Sequence, residues 1–167
     1  MITATLDTNI LRDALEQERD GHEVARRLLV LQASGKCDLR ITTRVDADIP
    51  PGQLRDDIQR IEVLHRPRLG APFRIDYSAV GSPDSLASDD DAHLGDELMA
   101  LLFPGADPER RKHRARVADV DHLIAHKRSG RDVFVTRDGG VLGKAEVLKA
   151  RHGIIVMAST EFLASFQ

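Results

Sequence analysis

Each stretch of this chain that reads as a strand is separated from the next by one that reads as a helix, and this order constrains the fold more than any other feature. Ile2 to Leu6 alternates apolar with small residues and ends at Asp7, after which Ile10, Leu11, Ala14 and Leu15 recur at helical spacing towards Glu18. From Gly21 to Ser34, Val24, Ala25, Leu28, Leu29 and Leu31 repeat at three and four, predicting a second amphipathic helix that stops near Gly35. Leu39 to Thr42 reads as a strand. A short helical segment reaches Asp48 before Pro50-Pro51 ends it, because proline lacks a donor and restricts the residue before it. Leu54 to Ile58 reads as helix and Ile61 to Leu64 as a third strand. Further on, a long helix is predicted over Glu109 to Arg128, a fourth strand over Asp132 to Val135, a helix over Leu142 to Ala150, a fifth strand over Gly153 to Met157 and a closing helix over Thr160 to Phe166. Strands separated in this way cannot form hairpins. They pair in parallel within one sheet, with helices on both faces. The predicted fold is therefore α/β, a three-layer α/β/α sandwich forming one domain over residues 1–167, a length that suits a single core.

The stretch from Pro67 to Pro108 interrupts this alternation. It holds five of the seven prolines and the Asp89-Asp90-Asp91 run, with one alternating piece at Phe73 to Tyr77 and one helical stripe of Leu94, Leu98, Leu101 and Leu102. So long a connection is unusual in a compact domain and reads as an insertion within it. No run approaches the ~18 apolar residues of a membrane span, and the opening MITATLDTNI lacks the layout of a signal peptide. Cys37, the one cysteine, has no partner for a disulfide and no neighbours spaced for zinc. The expectation is a cytoplasmic protein with no membrane attachment. The net charge of −3 gives no global attraction to nucleic acid, so the placement of charges matters more than their sum.

In an open parallel sheet, sites form beyond the carboxyl ends of the strands. Asp7 ends the first predicted strand and Asp138 follows the fourth, so both can project over the same edge. Asp138-Gly139 is also an ordinary turn pair. Asp121 lies one turn after Val117 and one before Ala125, at the border of a buried stripe, where an acid needs a partner. Carboxylates brought together repel unless a cation lies between them, and hard oxygen ligands suit Mg²⁺ or Mn²⁺. Such a cluster can orient a water, lower its pKa and stabilise charge during attack on a phosphate ester.

With these acids placed, the chain resembles the PIN-domain ribonucleases, many of them toxins of bacterial toxin-antitoxin pairs. Leu6-Asp7-Thr8-Asn9-Ile10-Leu11 is similar to the family's opening strand and first acid, Asp121-His122-Leu123-Ile124-Ala125 to its D-x-L-I-A helix motif, and Thr136-Arg137-Asp138 to its T-x-D motif. Gly153 to Phe162 resembles the closing strand and helix start. The resemblance implies a mostly parallel five-stranded sheet of order 3-2-1-4-5 and a metal-dependent endoribonuclease. Asp7, Asp121 and Asp138 would face the metal, and Asn9 and Thr136 would fix a carboxylate or metal-bound water. It also implies a homodimer and, for a toxin, an antitoxin protein as partner. Two features depart from the family. Where the family has Glu on the helix after the second strand, this chain offers Asp48, with Asp46 the alternative; aspartate is one methylene shorter and reaches a metal through water. The second departure is the insertion between Pro67 and Pro108.

Arg110-Arg111-Lys112-His113-Arg114-Ala115-Arg116 packs five cationic side chains into seven positions just before the acidic helix motif. Arg110, Arg111 and Arg114 lie two or three helical turns from the acids, suited to neighbouring phosphates of an RNA strand. His122 and His126 have the spacing of a helical zinc pair, but the glutamate and third soft ligand such a site needs are missing. An aspartyl phosphatase would need a second acid where Asn9 stands and a lysine after the fourth strand. The remaining alternative is a catalytically weak or inactive PIN-like module that binds RNA or a protein partner.

Overall fold

The computed structural model describes residues 1–49, 52–59, 61, 67–75, 78, 81–107, 109 and 112–166. Its order is β1 (Ile2–Leu6), α1 (Thr8–Leu15), α2 (His22–Ala33), β2 (Cys37–Arg40), α3 (Val45–Asp48), α4 (Gln53–Gln59), α5 (Asp89–Leu102), α6 (His113–Arg128), β3 (Val133–Thr136), α7 (Gly139–Leu142), α8 (Ala145–His152), β4 (Val156–Ala158) and α9 (Ser159–Ala164). The sheet is parallel throughout, in the order β2-β1-β3-β4. Helices lie on both sides of it, as the alternation predicts. Among the described residues the sheet has four strands where five are expected. Ile61 is not in a strand, and residues 62–64 of the predicted third strand lie outside the described residues. Beyond β2 a single parallel bridge joins Thr42 to Leu69.

Strand alternation divides the core. Ala4 and Leu6 of β1, Cys37 and Leu39 of β2, and Val133 and Val135 of β3 join α1, α2 and α9 in one apolar cluster. The opposite face is largely polar. Thr5 pairs in register with Phe134, and one pleat further Asp7 meets Thr136, with Asp38 and Thr42 on the neighbouring strand and its extension. Phe134 enters a second cluster with Leu94 and Leu98 of α5, Val120, Leu123 and Ile124 of α6, and Leu148 of α8.

Element ends differ from the sequence pattern for local reasons. Glu109 lies in a turn, its N–H donating to Asp107 Oδ1 at 2.9 Å, and α6 begins at His113. The predicted helix over 142–150 is split at Gly143 into α7 and α8. Gly153 adopts the left-handed conformation (φ 66°) that terminates α8, so β4 starts three residues later than predicted. The Asp89-Asp90-Asp91 run opens α5: Ser88 Oγ accepts from Asp91 N–H, and Asp91 returns the bond to Ser88, a capping box that places negative charge at the positive end of the helix.

Candidate active site

Position Asp7 caps α1 at the carboxyl end of β1. Its Oδ2 accepts from Asn9 Nδ2 at 2.7 Å and from the Thr136 hydroxyl, so both predicted supporting residues touch it. Thr136 Oγ1 also accepts from Asp138 N–H at 2.9 Å, and Asn9 Oδ1 accepts from Arg137 N–H at 3.2 Å. One polar network therefore holds both strand ends together. Asp138 caps the short α7 by accepting from Val141 N–H at 2.9 Å while remaining exposed. The Arg137 side chain turns back and donates to the buried Asp13 of α1 at 2.7 Å, and Arg19 binds the other oxygen of that carboxylate. Gly21 lies so close that a Cβ there would overlap both Asp13 and Arg137.

Of the two candidates on α3, Asp48 is the one turned to this edge. It accepts from Thr8 Oγ1 at 2.6 Å and from His122 Nε2 at 2.7 Å, while the other ring nitrogen of His122 lies 2.6 Å from Thr42 Oγ1. Asp46 instead pairs with Arg68. Burial works to raise the Asp48 pKa, but the His122 bond and charge, the Thr8 bond and Arg44 together hold it below the ordinary value. Burial likewise opposes charge on His122, yet the bond to Asp48 and the charges of Asp48, Asp7 and Asp119 raise its pKa. His122 is thus a buried imidazole whose protonated form the surrounding carboxylates favour.

The second half of helix α6 is buried around most of its circumference. From Val117 to His126 each residue is buried except Asp119, which keeps contact with solvent. Desolvation raises the Asp119 pKa to about 7, and the charges of Asp7, Asp48 and Asp138 add to the rise against the opposing pull of His122. Desolvation raises Asp7 as well, with Asp48 contributing, against His122 and the Thr136 bond. The acids that sense one another at the sheet edge are therefore Asp7, Asp48, Asp119 and Asp138.

Asp121 is placed differently. Its carboxylate is fully buried and accepts from Arg44 Nε at 2.8 Å and from Arg74 Nε and Nη2, both at 2.8 Å. Arg44, also without solvent exposure, bonds Asp84 at 3.1 Å and the Pro72 carbonyl, so its guanidinium ties the start of the insertion to the body of the fold. Asp84 accepts further from Thr43 Oγ1 and from Ala71 N–H. Sequence spacing left Asp119, Thr8, Thr42, His122 and Arg44 out of the site. The signal for Asp119 was its place three residues before His122, on a helix whose solvent-facing side the insertion covers. Arg114 is exposed on α6, whereas Arg110 and Arg111 lie outside the described residues.

One turn on from His122, His126 has the opposite character. Its Nδ1 meets Thr5 Oγ1 at 2.9 Å and its ring packs edge-on against Phe134, and burial together with Arg131 pushes its pKa down to about 4. The two histidines thus serve different partners.

No three His, Cys, Asp or Glu side chains among the described residues are disposed, as they stand, to grip a metal ion. The donor chemistry nevertheless suits a hard divalent cation: Asp7, Asp48, Asp119 and Asp138 interact at one edge, and burial first, then the neighbouring acids, disfavours charge on Asp7 and Asp119, a cost a cation would offset. No helix among the described residues is long and apolar enough to cross a membrane. No protein-family model matches the chain, and a search of curated proteins returns no match.

Proposed function

We propose that the protein is a Mg²⁺- or Mn²⁺-dependent endoribonuclease of the PIN type that hydrolyses RNA phosphodiester bonds. The observation supporting this is the convergence of Asp7, Asp48, Asp119 and Asp138 at the carboxyl edge of a parallel sheet, with Asp119 the one solvent-reaching residue on the buried stretch of α6. Asp7, Asp119 and Asp138 would hold the ion, and Asp48 would do so through water. The bound ion would orient the attacking water and offset charge on the phosphate. Asn9 and Thr136 fix the Asp7 carboxylate, and His122 fixes Asp48. In this reading Asp121 positions Arg44 and Arg74, and the basic run of Arg110, Arg111 and Arg114 receives the RNA backbone. A homodimer, a cytoplasmic location and, for a toxin, an antitoxin partner belong to the same reading.

Cleavage of single-stranded RNA by the wild type should require Mg²⁺ or Mn²⁺ and fall to background in Asp7→Asn and Asp119→Asn. Equal activity in all three proteins would defeat the proposal. A second reading, a PIN-like module that binds RNA or a protein without cutting, draws on His122 and Arg44, which already pair with Asp48 and Asp121. Retention of RNA by an inert wild type that binds no divalent ion would favour it.

A further inference from the structure

The carboxylate of Asp13 binds two guanidinium groups where one would match its charge. It is fully buried on α1, and Arg19, from the turn between α1 and α2, bonds one of its oxygens. Arg137 donates to the other oxygen at 2.7 Å, and this second arginine is the residue between Thr136 and Asp138. The two side chains are alike in exposure, 34% for Arg19 and 36% for Arg137, so water screens both pairs to a similar degree. What distinguishes them is the segment each one ties down.

Residue 137 is held to α1 at two points. Its N–H donates to Asn9 Oδ1 at 3.2 Å and its side chain to Asp13, and Asn9 and Asp13 stand one turn apart on the same face of the helix. That helix begins at Asp7, whose carboxylate accepts from Asn9. One helix therefore carries Asp7 at its start and grips the loop that carries Asp138. Beyond Asp138 the backbone is less confined: Gly139 and Gly140 restrict it least of all residues, and a Cβ at Gly139 would meet nothing within 4 Å. Of the hydrogen bonds made by residues 136–138, the one from Arg137 to Asp13 is the one that pairs two charges, which makes it the strongest tie on the loop.

We infer that Asp13 is a positioning residue: through Arg137 it sets where the Asp138 carboxylate stands relative to Asp7, and with that the affinity of the acidic edge for a divalent cation. The cation's part in this rests on the ribonuclease reading; the placement of the loop does not.

The test compares Arg137→Leu with Arg19→Leu in the full chain. Each removes one arginine from the same carboxylate and leaves the other bonded, and Arg19→Leu also gives up a 3.4 Å contact with Glu16, so it disturbs the fold at least as much. In the metal-free protein, hydrogen exchange followed by NMR should quicken several-fold at the Asp138 and Val141 amides, which bond Thr136 Oγ1 and Asp138 Oδ1, in Arg137→Leu and stay at wild-type rates in Arg19→Leu. Mn²⁺, with the free ion read by electron paramagnetic resonance, should bind about 10-fold more weakly to Arg137→Leu, the lower end for loss of an outer partner of a metal ligand, and as tightly as wild type to Arg19→Leu. Arg137→Lys, which keeps a cation for the single bond to Asp13, should recover most of both losses. A merely structural role predicts equal changes in the two leucine variants; that result in either measurement, or a lysine variant as impaired as the leucine one, overturns the inference. RNA cleavage by an Arg137→Leu protein of wild-type Mn²⁺ affinity removes the inference and leaves the ribonuclease reading. Weaker Mn²⁺ binding in Arg137→Leu alone, with no RNA cleavage by the wild type, removes only that reading, and a wild type that binds no Mn²⁺ removes both.

Discussion

Replacing Arg44 by methionine tests the buried charge network directly. Arg44, Asp84 and Asp121 all have fully buried side chains, so the substitution leaves two carboxylates in the interior without their shared cation. Breaking a buried pair from one side costs about 3–5 kcal/mol, because the remaining charge is neither hydrated nor matched. Asp121 keeps Arg74, and Asp84 keeps the Thr43 hydroxyl and the Ala71 N–H, which places the loss at the lower end, about 3 kcal/mol. The Arg74 side chain bonds the same oxygen at the same distance but is 40% exposed, so water screens its pair and Arg74→Met should lose about 1 kcal/mol or less. Urea unfolding followed by circular dichroism at pH 7 measures both. With a slope of about 1–3 kcal/mol per molar, Arg44→Met should lower the midpoint by about 1–3 M, a large part of a stability of about 5–15 kcal/mol. Adding Asp121→Leu should recover part of the loss, since an apolar pair in place of a buried ion pair is often neutral. An Arg44→Met loss no larger than that of Arg74→Met would refute the premise that burial, and not contact distance, sets the strength of this junction.

Other measurements reach the acidic edge. Because the Asp119 pKa is raised to about 7, its charged form destabilises the fold above that pH, and below about 4 the carboxyl is protonated in both states. Asp119→Asn should therefore raise the unfolding temperature at pH 8 and leave it unchanged near pH 3.5; a gain of equal size at both values would remove the electrostatic cause. His126 should show no NMR titration between pH 5.5 and 8, since burial and Arg131 push its pKa to about 4, and a midpoint near 6.5 would contradict that environment. Combined Arg110→Ala, Arg111→Ala and Arg114→Ala substitution should weaken RNA binding and flatten its dependence on salt, and an unchanged salt slope would leave the basic run without a role in binding phosphate.

The parallel α/β architecture was legible because period-two and period-3.6 patterns alternate along most of the chain. Asp7 was equally legible, as an acid at the end of a strand, and Asn9 and Thr136 both hydrogen-bond its carboxylate. The burial of Asp121 and the exposure of Asp119 on α6 were not. Apolar periodicity marks one buried face of a helix, whereas α6 is buried on three: polar residues of the sheet face His122 and His126, α5 covers Val120 and Ile124, and Leu69 and Ala71 of the insertion cover Ala125. With the third face covered, Asp121 is enclosed with arginines and Asp119 is left at the opening. No local pattern reports a cover contributed by residues some fifty positions earlier. Arg44 illustrates the same limit, since an arginine in a turn reads as a surface residue until its buried partners are known.

Gly21 has no chemistry of its own and stands at the N-terminal cap of α2. Asp13 and Arg137 occupy the space a methyl group would need, and Arg137 stands between Thr136 and Asp138 in the chain. Even alanine at Gly21 would push against the arginine that anchors the acidic loop. A substitution there would pass any inspection confined to residues near the carboxylates, yet it would disturb the Asp13–Arg137 pair next to Asp138, so the positions that bear on this edge extend to a helix junction that touches none of its acids.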